Sequence, residues 1–530
     1  MKDVTDLSAV ELASLIRTRA VSPVEVVDAI LDRIDSLNGS LGAYLHVAAD
    51  HARAAAQAVE SEILANRWRG PLHGIPVGYK DIYDVRGLPT TAGSRLRLGH
   101  VAARDSTVAA RLREAGTICL GKLNTFEFAS GGMESLGPAH NPWNTRLTPG
   151  GSSSGSGVAL VARLVTVATG TDTGGSIRIP AAYCGVAGLK PTYGRVSRAG
   201  IVPLSWSLDH AGPMARCVGD LALLLGATAG PDPDDPAAAD RPVPSYLTAL
   251  KDDLSGLCVG VPEAFFLEVA SSEVQAATRA AITQLAGLGA EVRSVSLPHA
   301  IHGAAASWAL AYSESFAYHR QSFFARARDY TPAFLHKITA AAFLTAPERV
   351  TAQQVRRQIT EQFLTALRDV DAIVTPTTPH PAHLADGAPQ AVDGGVFTRP
   401  ASLAGLPALA VPCGFTATGL PMSLQIIGRA WDEATVLQIG HAYERATPWH
   451  TRRPPMEGGS SPEPLASPLP FRDPAVTPEW VLAMARLTGL AYVTEADAAP
   501  IAALLAPVRA QLALARAQVD VATDPGPIRL

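Results

Sequence analysis

From about residue 70 to residue 230 the sequence alternates between short runs of β-forming residues, glycine turns and helical segments. Residues 102–116 are predicted to form a helix, and residues 117–121 the strand that follows it. Such an alternation is typical of a sheet whose faces are covered by helices. Further strands are predicted at 258–261, 372–376, 408–412 and 423–428, and further helices at 272–288, 303–326 and 432–446. The sequence therefore predicts an α/β fold with a mixed, mostly parallel β-sheet core covered by α-helices.

The composition changes sharply after Trp449. Residues 453–475 are rich in proline, glycine and serine and are predicted to be a linker between a large domain, residues 1–452, and a small helical C-terminal extension, residues 476–530. One helix is expected to start at Thr477 and another to cover 495–519. Two helices of that size bury little surface alone. We expect them to dock on the large domain, on a second copy or on a partner.

The composition excludes several classes of protein. The chain has 530 residues, of which 47% are hydrophobic and 17% charged, so a large buried core is expected. A net charge of −4 gives no electrostatic footprint for nucleic acid or an anionic membrane. The longest apolar stretch, residues 158–169, is interrupted by Arg163 and is too short to span a bilayer. Five cysteines without paired spacing, and no secretion signal, favour a cytoplasmic protein.

Two glycine-framed serine clusters lie close together, at 150–157 (GGSSSGSG) and at 172–178 (DTGGSIR). Glycine lets backbone N–H groups converge on one point, and a serine beside such donors has what acyl transfer needs, a nucleophile and an oxyanion site. A flexible linker is disfavoured because an apolar run follows the first cluster directly. A phosphate-binding loop is disfavoured because no Gly-Lys-Ser/Thr follows either cluster.

One lysine, Lys80, lies in an otherwise small and apolar segment, GIPVGYKD at 74–81, which is predicted to be a strand end inside the domain. Burial disfavours the ammonium form of a lysine, so the neutral amine becomes available as a base. A lysine with paired serines is a variant of the serine-histidine-acid arrangement. These residues indicate an amide-bond hydrolase.

A different nucleophile is also considered, because residues 151–155 fit the G-x-S-x-G pattern with Ser153 at its centre. That pattern needs a histidine and an acid downstream, and His380 with His383 is the only suggestive histidine pair. The match is weak. A histidine pair without nearby acids or cysteines is also a poor metal site, so we expect neither a metal nor a cofactor.

These segments together resemble the amidase signature family, from about residue 4 to residue 450. The motifs that carry the resemblance are GIPV at 74–77 with Lys80-Asp81, GGSS at 150–153, GTDTGGSIRIP at 170–180, GLKPT at 188–192, SLDHAGP at 207–213 and LAGLP at 403–407. They are long and occur in order along the chain, so the resemblance is strong.

The resemblance implies a catalytic set of Lys80, Ser152 and the nucleophile Ser176, with a cis peptide bond before Ser152. It also implies further roles, with backbone N–H groups of Thr173, Gly174, Gly175 and Ser176 as the oxyanion hole and with Ser153, Asp172 and Arg178 as supporting polar residues. Ser176 would attack the amide carbon while Ser152 relays its proton to Lys80.

The predicted function is hydrolysis of a small-molecule carboxamide, carbamate or ureide. A glutamine-hydrolysing amidotransferase of the A-type is an alternative, but Asp393 lies out of register with the acid expected there, and Lys337 replaces the expected arginine. Both departures argue against glutamine. A non-catalytic scaffold with the same fold is a third possibility, although no catalytic position is missing.

Trp308, Tyr312 and Phe316 are spaced to lie on one helical face, either as core or as the wall of an acyl pocket. The C-terminal extension resembles the small helical partner protein of such enzymes, including hydrolases of carboxybiuret and related ureides. A helical dimerisation tail fits equally well, and we expect a homodimer.

Overall fold

The computed structural model describes residues 3–385, 392–455, 473, 475–490, 492–518, 523 and 525. Its described strands form one eleven-stranded sheet, in the order β1-β3-β2-β4-β6-β5-β10-β11-β9-β7-β8. The strands are β1 Tyr44–Val47, β2 Pro76–Lys80, β3 Ile118–Leu123, β4 Val167–Asp172, β5 Ala187–Lys190, β6 His210–Ala215, β7 Cys258–Pro262, β8 Glu291–Val295, β9 Ala372–Pro376, β10 Ala408–Phe415 and β11 Pro421–Gly428. The predicted α/β fold with a mixed sheet is confirmed.

The sheet is less parallel than the alternation of elements suggested. Parallel pairing is confined to two places, β3-β2-β4 and β9-β7-β8. The strands between them, from β4 through β6, β5, β10 and β11 to β9, pair antiparallel. The parallel run β3-β2-β4 matters most for function, because it places the ends of β2 and β4 side by side.

Helices pack against the sheet and against one another. They are α1 Ala9–Arg17, α2 Pro23–Leu41, α3 Ala49–Leu64, α4 Thr107–Glu114, α5 Ser154–Val161, α6 Arg178–Cys184, α7 Val218–Thr228, α8 Phe266–Val269, α9 Ser272–Gly287, α10 Gly303–Arg326, α11 Pro332–Ala342, α12 Ala346–Asp369, α13 Arg399–Leu403, α14 Glu433–Arg445, α15 Pro478–Leu487 and α16 Glu495–Gln518. Helices α6, α9 and α14 contact the central strands, whereas α10 packs on α11, α12, α13 and α16.

The chain itself sets several of these boundaries. Ser22 and Glu25 form a capping box at the start of α2, with Pro23 at the first helical position, and Gly42 ends the helix in the left-handed conformation. A side chain at Gly42 would collide with the carbonyl of Pro138, so this end tolerates only glycine. Helix α4 is shorter than the predicted 102–116, because it begins after Ser106, whose side chain accepts the Ala109 N–H.

The C-terminal helices α15 and α16, which we call the C-terminal helical pair, pack on α10, α11 and α12. Thr477 caps α15 as expected, accepting the Trp480 N–H. Helix α16 is long and apolar enough to cross a membrane by length and composition alone. Its Ile501, Leu505 and Leu512 are nevertheless buried against the domain. Most of the predicted linker lies outside the described residues, and the domain boundaries stay a prediction.

Candidate active site

Lys80 is the last residue of β2 and is completely buried. Because β2 pairs in parallel with β4, through Val77 with Val167 and Gly78 with Ala168, its end meets the end of β4. The Lys80 N–H donates to Thr169 Oγ1 on β4 at 3.1 Å, which fixes this register. Strand pairing therefore sets the position of the amine.

The amine of Lys80 donates two hydrogen bonds. Nζ lies 2.7 Å from Ser152 Oγ and 2.8 Å from Thr171 Oγ1. Burial lowers the pKa of the Lys80 amine from 10.5 to about 7, against the opposing effect of the Asp209 and Asp172 carboxylates. A large fraction of this lysine is therefore neutral near pH 7 and able to accept a proton.

Ser152 is buried, and the peptide bond between Gly151 and Ser152 is cis, as the resemblance implied. A side chain at Gly151 would lie 2.4 Å from Phe126 Cζ, so the chain approaches this ring more closely than any other residue permits. Ser153 follows, and its N–H donates to the Ser176 carbonyl at 3.2 Å. This bond joins the two serine clusters and places the Ser176 loop beside the lysine and Ser152.

Ser176 is partly exposed, unlike the other two members of the set. Among the described residues no hydrogen bond joins its hydroxyl to Ser152. The structure therefore brings Lys80 and Ser152 into direct contact, and Ser176 adjoins them through the backbone of Ser153.

The predicted oxyanion donors differ in availability. The Gly175 N–H donates to Asp172 Oδ1 at 2.7 Å, so it is already engaged. Within the described part of the chain, the N–H groups of Thr173, Gly174 and Ser176 have no acceptor. The free donors of this loop are therefore three rather than the four expected, because the Asp172 carboxylate captures the fourth.

Asp172 and Arg178 form a fully buried ion pair that holds this loop. Two hydrogen bonds join them, at 2.8 and 2.9 Å. Burial alone would raise the pKa of the Asp172 carboxyl, but the Arg178 guanidinium holds it well below its usual range. Ser153 supports the same loop, since its hydroxyl lies 3.3 Å from the Thr171 N–H. The predicted supporting residues thus lie around the serine loop.

Sequence reasoning missed several partners of this loop. Arg178 also donates to the Thr398 carbonyl, to Ser402 Oγ and to Gln425 Oε1, at 2.9, 2.7 and 2.5 Å. Thr398 Oγ1 in turn donates to the Gly174 carbonyl at 2.6 Å. Gln425 could have been found, because it is a lone amide in the apolar strand β11. Thr398 and Ser402 carry no comparable sequence signal.

The aromatic residues of α10 do not act as one group. The rings of Trp308 and Tyr312 lie 4.9 Å apart, and the Tyr312 hydroxyl bonds to Ser130 Oγ. Phe316 instead packs on Phe323, 5.1 Å away, and Phe323 packs on Tyr492 of the C-terminal segment. Phe316 therefore lies in a hydrophobic contact between α10 and the extension, apart from the other two rings.

Charged residues lie next to the oxyanion loop. A Cβ on Gly174 would lie 3.3 Å from Arg399 Cγ, and Arg399 Nη2 pairs with Asp393 Oδ2 at 2.8 Å. Lys337 on α11 donates to the Ser130 carbonyl at 2.6 Å. The site thus carries groups of both signs close to the loop that holds Ser176.

The chain matches the amidase family model over residues 25–437. It is 39% identical over 485 residues to the A-type component of glutamyl-tRNA(Gln) amidotransferase from Geobacter sp. (strain M21), covering 86% of this chain and all of that protein. Among solved structures, it is similar to native peptide amidase from Stenotrophomonas maltophilia, with 34% identity, a TM-score of 0.76 and coverage of 84% and 98% of the two chains.

A second solved structure is described as a vestigial protein complex that reveals the origins of an s-triazine catabolic enzyme. It is 33% identical, with a TM-score of 0.79 and coverage of 83% of this chain and 98% of the other. These relatives share the fold over nearly their whole length while carrying names that describe different amide substrates or assemblies. The chain therefore belongs to the amidase signature family and is an amidohydrolase of that family.

Proposed function

We propose that this protein cleaves a carboxamide through an acyl-enzyme formed on Ser176, with Ser152 and Lys80 as the proton relay. The observation that supports this most is the 2.7 Å contact between Ser152 Oγ and a completely buried lysine whose pKa is lowered to about 7. A lysine of ordinary pKa would be protonated at neutral pH and unable to act as a base.

In the proposed mechanism the neutral Lys80 amine accepts the Ser152 proton while Ser152 accepts the proton of Ser176. Ser176 Oγ bonds to the amide carbon, and the carbonyl oxygen becomes an oxyanion. The free N–H groups of Thr173, Gly174 and Ser176 stabilise that oxyanion. The relay then returns the proton to the leaving nitrogen as the C–N bond breaks. Water hydrolyses the ester, aided by the same relay, and Ser176 is regenerated.

An active-site-directed fluorophosphonate tests this assignment without knowledge of the substrate. We expect the wild-type protein to be labelled on Ser176, identified by peptide mass spectrometry, and the Ser176→Ala variant to remain unlabelled. Labelling of Ser176→Ala at the wild-type rate, or no labelling of the wild type, would refute Ser176 as the nucleophile. Ser154→Ala is the matched control, because that neighbouring hydroxyl has only a long bond, 3.4 Å, to the Asn124 carbonyl.

For the substrate, the curated relatives favour the side-chain amide of glutamine over the small carboxamides expected from sequence. Several curated relatives, 39–42% identical, carry the name of the A-type component of glutamyl-tRNA(Gln) amidotransferase. The charges fit an amino acid, since the Lys337 ammonium can hold a carboxylate and the Asp393 carboxylate an ammonium. Lys337 and Asp393 thus support glutamine where the sequence comparison of single positions argued against it.

A small-molecule carboxamide or ureide remains the second proposal, favoured by the likeness to the peptide amidase and the s-triazine enzyme. Hydrolysis rates on glutamine, peptide amides, aryl amides and ureides separate the two. We expect kcat/KM for glutamine to exceed the others by at least about tenfold, since its two charged groups meet complementary charges. A higher value for an uncharged amide would instead support the second proposal.

The curated relatives are named as components of a larger enzyme, which also bears on assembly. We propose that the chain works in an oligomer, with the homodimer as the simplest form and a hetero-oligomer as the form those names favour. Light scattering on the purified chain measures which of these it forms alone.

A further inference from the structure

The C-terminal helical pair packs on the outer side of α11, a helix whose inner side reaches the candidate site. The two sides are separated by the helical geometry, since His336 and Thr339 are three residues apart and share one face, while Lys337 points about 100° away from His336. Events on the outer face of α11 can therefore be transmitted to Lys337 by movement of one short helix.

Two polar contacts join the outer face of α11 to the C-terminal segment. His336 Nε2 lies 2.9 Å from Asp497 Oδ1, and both side chains are mostly buried, at 15% and 26% exposure. The hydroxyls of Thr339 and Tyr492 lie 3.1 Å apart, and the Tyr492 ring also packs on Phe323 of α10. The second and third turns of α11 are thus held from the outside by residues beyond 490.

The first turn of α11 is fixed differently. Thr331, which caps the helix, donates through both its N–H and its hydroxyl to the buried Glu127 carboxylate, at 2.7 and 2.6 Å. This contact belongs to the large domain and does not depend on the C-terminal helical pair. The extension therefore controls the later turns of α11, where Lys337 lies, and leaves the beginning of the helix in place.

On the inner side, Lys337 Nζ donates to the Ser130 carbonyl at 2.6 Å and lies 5.7 Å from the centre of the Tyr312 ring. Ser130 Oγ bonds to the Tyr312 hydroxyl. The ammonium is thus held at one point by a carbonyl and a ring, and a small rotation of α11 would remove it from both. A displacement of about 1 Å of a substrate-positioning group can lower a rate by two orders of magnitude.

We propose that the C-terminal helical pair positions Lys337 for substrate binding by holding α11, so that His336, Asp497 and Tyr492 are positioning residues of the amidase. The inference rests on the proposed function in one respect, that Lys337 meets a carboxylate of the substrate. The extension is then a built-in part of the specificity apparatus, although none of its described residues contacts the catalytic set.

The test uses the full chain with Asp497→Asn and Tyr492→Phe combined, which removes the charge and the hydroxyl on the outer face while keeping side-chain volume. We expect KM for glutamine to rise about 3- to 10-fold with kcat changed less than about twofold, since only substrate positioning is affected. Hydrogen–deuterium exchange in peptides covering 335–342 should become faster. Asp497→Glu alone, which keeps a carboxylate, should retain the wild-type KM.

Gln518→Leu is the matched control, because it removes the bond between Gln518 and His302, 2.9 Å long, at the other end of α16. It should leave KM and the exchange of α11 unchanged. Unchanged KM and exchange in the double variant, or an equal rise in the control, would overturn the proposal. Failure of the fluorophosphonate to label the wild type would instead count against Ser176, and absent glutamine hydrolysis against that substrate, while the exchange measurement still tests the hold on α11.

Discussion

The state of Lys80 is open to a quantitative test. At pH 7 a lysine with the ordinary pKa of 10.5 is about 0.03% neutral, whereas one with a pKa of about 7 is about half neutral. Burial therefore raises the concentration of the proposed base about 1,500-fold, equivalent to about 5 kcal/mol. The reaction of Ser176 with a fluorophosphonate should be slow when the lysine is protonated and should rise with pH through about 7.

Replacing Thr171 with valine perturbs this equilibrium at nearly constant volume. The Thr171 hydroxyl accepts a hydrogen bond from Lys80 Nζ at 2.8 Å, and such a bond is stronger when the amine carries its charge. A hydrogen bond to a charged group contributes about 1.5–3 kcal/mol. Since part of it persists with the neutral amine, we expect the pKa of the lysine to fall further, by about one unit.

The assay is the second-order rate of fluorophosphonate labelling between pH 5 and pH 10, which reports groups of the free enzyme. In Thr171→Val the acid limb should move about one pH unit lower, while the plateau at high pH changes only a few-fold. Thr171→Ser, which keeps the hydroxyl, should follow the wild type. A wild-type acid limb near pH 10, or an acid limb in Thr171→Val at or above the wild-type pH, would show that the lysine is not the base.

Three further predictions follow from the described contacts. Ser152→Ala should lower kcat by at least about 10³-fold with little change in Tm, measured by hydrolysis and thermal unfolding, because it breaks the relay and little else. Arg178→Lys should lower both kcat and stability, the latter by about 3–5 kcal/mol in denaturant unfolding, because lysine cannot replace the bonds of the guanidinium to Asp172, Thr398, Ser402 and Gln425. Asp81→Ala should also destabilise the protein by about 3–5 kcal/mol, because it leaves the fully buried ammonium of Lys122, 2.9 Å from that carboxylate, without its counter-ion. An unchanged unfolding midpoint in either of the last two variants would contradict the reasoning.

The position of Lys80 could be predicted because local residues determine it. Small and apolar neighbours made a buried strand end the best interpretation of residues 74–81, and β2 ends at Lys80. The same holds for strands such as β9, whose predicted bounds, 372–376, match the structure. In both places a short apolar run is bounded by residues that stop a strand, so local information is sufficient.

Features that depend on distant contacts could not be predicted. The antiparallel pairing of β4 with β6 is set by how the chain returns to the sheet, which no local pattern records. The engagement of the Gly175 N–H depends on the orientation of Asp172, which in turn depends on Arg178. Phe316 has the same helical spacing as Trp308 and Tyr312, but Phe323 and the extension determine where its ring packs.

The parallel pairing of β2 with β4 has a consequence for how new specificities arise. Lys80, Ser152 and Ser176 all fall within residues 76–178, and that stretch fixes the reaction. The helices that carry Lys337 and Tyr312 are encoded later, within residues 303–342. Recombination or directed evolution can therefore exchange the later stretch for one suited to another amide while inheriting the acylation chemistry intact.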